Sequence, residues 1–210
     1  GLADAILRRG LDVRFHYMGK PDESYAPGCF EKLYAAGCRW ISWGVETGSP
    51  RLLQLINKNT RVEVMARGLR DAHRAGINNL AMMIFGLPTS TDLDLQLTLD
   101  FLCDLRESID AVSASSFSLY RNTGFEKRAG PLGMRVGEAR ELFRTSSGTV
   151  RSFKLSYHEV GGTGGLRKPG AQLELAEWER RKRWTFGPSL YERLCAEHYL
   201  LYSDRGLCST

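Results

Sequence analysis

The sequence predicts an α/β fold built on a parallel sheet, and three observations carry that reading. Strand-like runs at residues 12–18, 38–45, 78–86 and 110–120 alternate with amphipathic helical segments at roughly 30–40-residue spacing, the length of a βαβ unit. Two of the helical segments stop at Gly37 and Gly76, where a left-handed residue closes a helix. Residues 77–85 form a run of strand length that is apolar apart from Asn78 and Asn79, and apolarity on both faces is what a parallel strand covered by helices requires. Crossovers between such strands are right-handed, so their polar ends gather on one rim.

Taken in order, residues 2–9 read as the end of a helix, stopped by Gly10. Residues 12–18 alternate as a strand and run into Gly19-Lys20-Pro21-Asp22. Residues 27–36 are a short helix. The strand after it is rich in aromatic and β-branched types and ends in Glu46-Thr47-Gly48-Ser49-Pro50, ahead of an apolar-periodic segment with Leu52, Leu53, Leu55 and Ile56. A carboxylate, two hydroxyls and a glycine at the C-terminal end of a strand make a ligand-facing edge in α/β folds. The alternative is that Ser49-Pro50 caps the next helix and Glu46 is solvated.

Residues 61–75 are the clearest helix, with Val62, Met65, Ala66, Leu69, Ala72 and His73 on one face and arginines on the other. His73 is expected to be a packed core histidine. The apolar strand that follows ends in Gly86-Leu87-Pro88-Thr89-Ser90-Thr91. Residues 91–107 are again helical, with Leu97, Phe101 and Leu105 as the apolar stripe, widened by Leu93, Leu95 and Leu102. Asp92 and Asp94 in its first turn suit the helix dipole. The strand at 109–120 ends at Arg121-Asn122-Thr123-Gly124. Beyond that the regularity fails. Residues 124–172 are rich in Gly, Ser and Thr and read as loops with room for one hairpin, while 173–186 and 189–202 read as two closing helices. The expected division is a barrel-like part at 1–125 and a loop-rich, helical extension at 126–210.

No apolar run approaches the ~20 residues of a membrane span, and residues 1–10 lack a signal pattern, so a cytoplasmic protein without a membrane partner is expected. The chain does not begin with Met, and Gly1 is expected not to be a native start. A net charge of +5 permits an acidic partner without demanding one. The only dense basic cluster, Glu179-Arg180-Arg181-Lys182-Arg183, has no binding motif beside it, so it reads as a solvated helix face and no nucleic-acid partner is expected. The run Gly161-Gly162-Thr163-Gly164-Gly165 lacks the setting and the lysine of a phosphate loop and reads as a link. Cys29, Cys38, Cys103, Cys195 and Cys208 are odd in number, and no pair has a metal-like gap. Cys38 and Cys103 are expected to be small core residues.

Several pieces then occur together in one order: Ala35-Ala36-Gly37-Cys38-Arg39 with Gly44-Val45-Glu46-Thr47-Gly48-Ser49; Leu55-Ile56-Asn57-Lys58; Ala72-His73-Arg74-Ala75-Gly76-Ile77; Met83-Ile84-Phe85-Gly86-Leu87-Pro88; and Thr98 with Phe101. In this the chain resembles the radical S-adenosylmethionine (SAM) superfamily, in the branch whose members often carry a cobalamin-binding domain. The resemblance covers roughly residues 30–125 and implies an incomplete (β/α) barrel with parallel strands, of which this chain holds the later ones. The family's defining Cys-x-x-x-Cys-x-x-Cys loop, whose thiolates hold a 4Fe–4S cluster, is absent.

The resemblance further implies that Glu46 touches the ribose or amino-acid part of SAM and that Thr47 and Ser49 help shape that pocket. Ile84, Gly86 and Leu87 would cradle the adenine. Lys20 stands where many relatives have a strand-end arginine, and Asn122 lies at the last strand's rim. Thr89-Ser90 and Arg121-Asn122-Thr123-Gly124 depart from the family pattern. The implied cofactors are SAM, a 4Fe–4S cluster expected only from residues upstream, and cobalamin. The function expected is that of a fragment of a radical SAM enzyme, forming part of the SAM pocket and substrate wall for 5′-deoxyadenosyl-radical chemistry on an unidentified small molecule. The alternative is a non-catalytic half-barrel that binds a SAM-like ligand or a protein.

Overall fold

The computed structural model describes residues 1–160 and 166–167. After α1 (Leu2–Arg8) come β1 (Phe15–Gly19), α2 (Cys29–Ala35), β2 (Cys38–Glu46), α3 (Pro50–Leu55), α4 (Val62–Arg74), β3 (Asn78–Phe85), α5 (Asp92–Asp104) and β4 (Ala111–Ser116). The four strands pair in parallel, in the order β1-β2-β3-β4. The parallel α/β half-barrel is therefore present.

Alternation along the strands sorts the side chains onto two faces. Ile41, Trp43 and Val45 of β2, Ala81, Met83 and Phe85 of β3, and Val112 of β4 pack against Phe30 of α2, Met65 and Leu69 of α4, and Leu99, Phe101 and Leu102 of α5. This is the main core. On the inner face Trp40, Leu80 and Ala111 form a separate cluster, and His16 stacks on Trp40 with ring centroids 4.4 Å apart. Higher on that face the alternation places Ser42, Gly44, Met82, Ile84, Ser113 and Ser115, which leaves the upper inner wall lightly filled.

One buried amide ties these layers. Asn79 is fully buried; its Oδ1 accepts from the Trp43 indole at 2.7 Å, and its Nδ2 donates to the carbonyls of Leu69 at 2.8 Å and Ser108 at 2.7 Å. Gly37 and Gly76 end α2 and α4 with φ of 102° and 91°, as the sequence predicts.

Several boundaries differ from the sequence reading. β1 starts at Phe15 because its first ladder bond runs from the Phe15 N–H to the Gly37 carbonyl at 3.0 Å, and residues 11–14 stand exposed before it. β4 stops at Ser116, short of residue 120, because the next residues pair elsewhere. Leu155 donates to the Leu119 carbonyl and Arg121 to that of Phe153, both at 2.8 Å.

Those partners belong to a hairpin, which the sequence reading leaves room for among the loops of 124–172 without placing its strands. After the short α6 (Gly124–Lys127), β5 (Met134–Thr145) and β6 (Gly148–Val160) form a long antiparallel ribbon, with β7 (Leu166–Arg167) added at its edge. Among the described residues only its base is covered, by Leu119, Ala139 and Leu155 with Phe117, Phe125, Val136 and Tyr157 around them. Residues 140–151 are exposed on both faces, so they carry no apolar alternation for a sequence reading to find.

In α5 the buried stripe is Asp94, Thr98, Phe101, Leu102 and Leu105, while Leu93 and Leu97 are exposed. The helix turns a polar pair inward because both residues find buried hydrogen-bond partners. That rotation also exposes Cys103, contrary to expectation, whereas Cys38 is buried. His73 lies half-buried on α4. The expected helices at 173–186 and 189–202, the basic cluster at 179–183, the link at 161–165, Cys195 and Cys208 lie outside the described residues. Among the described residues no helix is long and apolar enough to cross a membrane.

A Cβ added at Gly37 would stand 1.9 Å from the Val13 carbonyl oxygen, and its φ of 102° disfavours any side chain. Gly37→Ala is expected to destabilise the fold by about 3 kcal/mol or more, read as a lowered urea midpoint with an unchanged slope.

Candidate functional site

β2 leaves the sheet through an unusual backbone turn. Glu46 has φ 68°, a left-handed conformation that a side chain rarely adopts, and the pairing with β3 slips between Gly44 and Glu46. The carboxylate folds back over Gly44: a Cβ on that glycine would lie 3.0 Å from Glu46 Oε1 and 2.9 Å from Lys58 Nζ. Lys58 donates to Glu46 Oε1 at 2.9 Å, and the two side chains are only 17% and 20% exposed. Gly44 thus supplies the space in which an ion pair sits above the upper inner wall.

Lys58 reaches that place through the loop after α3. Its neighbours Asn57 and Asn59 both have φ 53°, and asparagine is the residue besides glycine that visits this region readily. The loop is tied to the exit of β1, where the Thr60 hydroxyl donates to the Pro21 carbonyl at 2.7 Å and Lys20 Nζ to the Asn59 carbonyl at 3.4 Å. The same loop lines a cleft of about 780 Å³ with Lys20, Gln54, Asn57, Asn59, Thr60 and Arg61, among others, and neither Glu46 nor Lys58 is part of its wall.

The remaining sequence-predicted residues fall into three groups. At the end of β3, Ile84 is half-buried on the inner face, Gly86 turns with φ 70° and Leu87 is buried. These stand on the same rim as Glu46, since β2 and β3 are adjacent and parallel. Thr47 and Ser49 are 1% and 0% exposed, and their hydroxyls are engaged inside the protein, with Thr98 and Asp94. Ser49 is also the N-cap of α3, with Pro50 following, so the capping reading holds for it. Lys20 lies at the end of β1 and pairs with Asp22 at 3.4 Å. Asn122 does not stand at a strand end. β4 is already over, and Asn122 (φ 66°) opens the turn into α6 with its N–H on the Glu126 carboxylate.

Sequence reasoning gave Lys58 no role, although the Asn-Lys-Asn pattern was a signal for an inward-turned lysine. It assigns Asp94 only to the helix dipole, whereas the side chain is 4% exposed and held in a hydrogen-bond network. Burial would raise the Asp94 carboxyl's pKa, but hydrogen bonds from Arg51, Ser49 and Thr91 outweigh it and hold the group well below the usual carboxylate range.

A 4Fe–4S cluster needs thiolates at close spacing, and the residues present do not fit one. Among the described residues no three His, Cys, Asp or Glu side chains group as metal ligands, and burial pushes the Cys38 thiol up to about 11. An acid and a base 2.9 Å apart over the bare backbone of Gly44, with Gly86 turning at φ 70° on the next strand, offer both charges that a zwitterionic ligand requires. No described residue is assigned to cobalamin.

A parallel α/β half-barrel with its polar strand ends on one rim is the class that fold and site define. Residues 4–102 match the profile of the Radical SAM superfamily. An uncharacterized methyltransferase of Pyrococcus horikoshii is 24% identical over 96 residues, which cover 46% of this chain and 21% of that protein. The chain spans 16%, 21% and 11% of the lengths of three curated relatives. Among solved structures, the radical S-adenosylmethionine methyltransferase TsrM from Kitasatospora setae, with cobalamin and a 4Fe–4S cluster bound, matches with a TM-score of 0.62 at 18% identity, over 90% of this chain and 41% of TsrM. Coproporphyrinogen III oxidase (HemN) from Escherichia coli, a radical SAM enzyme, matches with a TM-score of 0.55 at 17% identity, over 85% of this chain and 35% of that one. At such identities the likeness is one of fold.

Because the Asp94 pKa is lower folded than unfolded, its bonds stabilise the protein above the unfolded value of about 3.9, and that contribution is lost as pH falls below it toward the folded value. Urea midpoints measured from pH 6 to pH 3 should fall more steeply for the wild type than for Asp94→Asn.

Proposed function

We propose that this chain is part of a longer radical SAM enzyme and that its rim binds SAM. The observation that carries the reading is the Glu46–Lys58 pair held over Gly44 at the C-terminal edge of a parallel sheet. An ion pair of zero net charge that is partly desolvated is complementary to a zwitterion. Glu46 would take the ligand's ammonium group or ribose hydroxyls, and Lys58 its carboxylate, each through charge-assisted hydrogen bonds. Gly86 lets the ligand approach the β3 backbone, while Ile84, half-buried on the inner face, offers apolar contact to the adenine and the buried Leu87 backs the turn from inside. Lys20 and the cleft it lines are the place assigned to a small-molecule substrate.

In this superfamily the sulfonium of SAM is the source of the reacting carbon centre. The work assigned to this chain is holding and screening. It orients the ligand against the sheet, keeps its charged end paired, and supplies with Met82, Ser113 and Ser115 part of a wall that excludes water from the reacting partners. The cluster's thiolates are assigned to residues before Gly1. The lack of a thiolate set among the described residues keeps a second reading, a non-catalytic half-barrel that binds a SAM-like ligand or a protein. A coding sequence upstream of Gly1 with the Cys-x-x-x-Cys-x-x-Cys loop supports the first reading, and an upstream sequence without it supports the second.

Binding by the full-length protein tests the site directly. Glu46→Ala and Lys58→Ala should each weaken SAM by about one to two orders of magnitude, the worth of one charge-assisted hydrogen bond, and Glu46→Gln should cost less. Unchanged affinity in calorimetric titration, together with a lowered melting temperature, would make the pair a tether between two loops.

A further inference from the structure

Glu46 and Gly86 leave neighbouring strands, and the sheet alone does not fix what the chain does beyond its last ladder bond. A single carboxylate joins the two exits. Asp94 Oδ1 accepts from Ser49 Oγ at 2.5 Å and Arg51 Nε at 3.3 Å; Oδ2 accepts from Arg51 Nη2 at 2.5 Å and from the Thr91 N–H and hydroxyl at 2.9 and 2.6 Å. Arg51 uses its remaining capacity on the β3 exit, with Nη1 on Thr89 Oγ1 at 3.1 Å and Nη2 on the Thr89 carbonyl at 2.7 Å. Thr89 sits at φ 65°, so the guanidinium grips a bent stretch of backbone.

The β2 exit is pinned from below as well. Thr98 Oγ1, which donates to the Asp94 carbonyl at 2.8 Å, lies 3.0 Å from Thr47 Oγ1 and accepts from the Gly48 N–H at 3.1 Å. At Gly48 a Cβ would stand 2.7 Å from Phe101 Cβ and 2.8 Å from the Leu97 carbonyl, so this turn is pressed directly onto α5.

We infer that Asp94, acting with Arg51, is a positioning residue for the SAM site: it sets the spacing between the Glu46 turn and the Gly86–Thr89 turn without touching the ligand. The inference deepens the function proposed above and rests on it. Two features separate this role from an ordinary helix cap. A cap needs only the reciprocal bonds with Thr91, whereas Asp94 also holds residues 45 and 43 positions away along the chain. A carboxylate has about four acceptor sites, and here five donor groups converge on them, so none is left for a ligand.

The test uses the full-length protein with SAM as the probe and three variants, Asp94→Asn, Arg51→Lys and Glu46→Ala. Affinity is read by equilibrium dialysis, melting temperature by calorimetry, and local opening by hydrogen–deuterium exchange in peptides covering residues 44–49 and 86–91. The Arg51 side chain is 50% exposed, so Arg51→Lys is a variant that folds even if Asp94→Asn does not. Loss of the planar fork should loosen both turns, giving faster exchange in both peptides and SAM binding weaker by about tenfold in Asp94→Asn and severalfold in Arg51→Lys. If both variants bind within twofold of wild type while Glu46→Ala is weakened, the positioning role is wrong and Asp94 is a cap alone. If Glu46→Ala also binds as wild type does, the SAM reading itself falls and takes this inference with it.

Discussion

The structure depends on one buried amide. Asn79 sits at the start of β3 with the Trp43 indole on one side and the Leu69 and Ser108 carbonyls on the other. A buried amide is tolerated only when its donors and acceptor are matched, and here all its partners lie on different elements: β2, α4 and the approach to β4. A slip of β3 against β2 by one residue would strand the amide and turn Ala81, Met83 and Phe85 away from the helices. Register is thus fixed at the bottom of the sheet, and the rim inherits it. The relative height of Glu46 and Gly86 is set some four residue pairs away, in the core.

At the rim the logic is reversed. The core is specified by filling space, whereas the site is specified by leaving it. Gly44 is a position in a central strand where a side chain would normally stabilise the sheet, and its bareness is what admits the Glu46–Lys58 pair. Left-handed backbone at Glu46, Asn57, Asn59 and Thr89 surrounds that gap. Such conformations persist when the neighbouring structure over-determines them. The hydrogen bonds from Lys20, Thr60 and Arg51 supply that here.

The parallel strands and their helices were legible in the sequence because burial on both faces writes continuous apolar runs, and because Gly37 and Gly76 punctuate them. The rim was legible as a place, since Glu46 and Gly86 each end an apolar run. Its internal wiring was not. Ser49, Thr98 and Asp94 look like surface residues in a linear string, and only their meeting across the β2–α5 contact turns them into a buried network. Lys58 acts at a distance of 12 positions from its partner, through a loop whose asparagines mark a turn but not its direction. The ribbon is legible only as room for one hairpin, because a strand pair with both faces in water has no binary pattern, only a preference for Val, Phe and Tyr.

That ribbon differs from the sheet in how it comes apart. Its base is held by Leu119, Ala139 and Leu155, and among the described residues its outer half is held by cross-strand bonds alone. Opening from the tip exposes almost no apolar surface that water does not already reach, so it costs little and need not wait for the core to unfold. Backbone amides near residues 143–150 should therefore behave as a separate cooperative unit whose protection rises step by step toward Ala139, like a zipper with its slider at the free end. A single unfolding free energy for the whole chain would average two quantities, a global one that belongs to the sheet and a graded one that belongs to the arm.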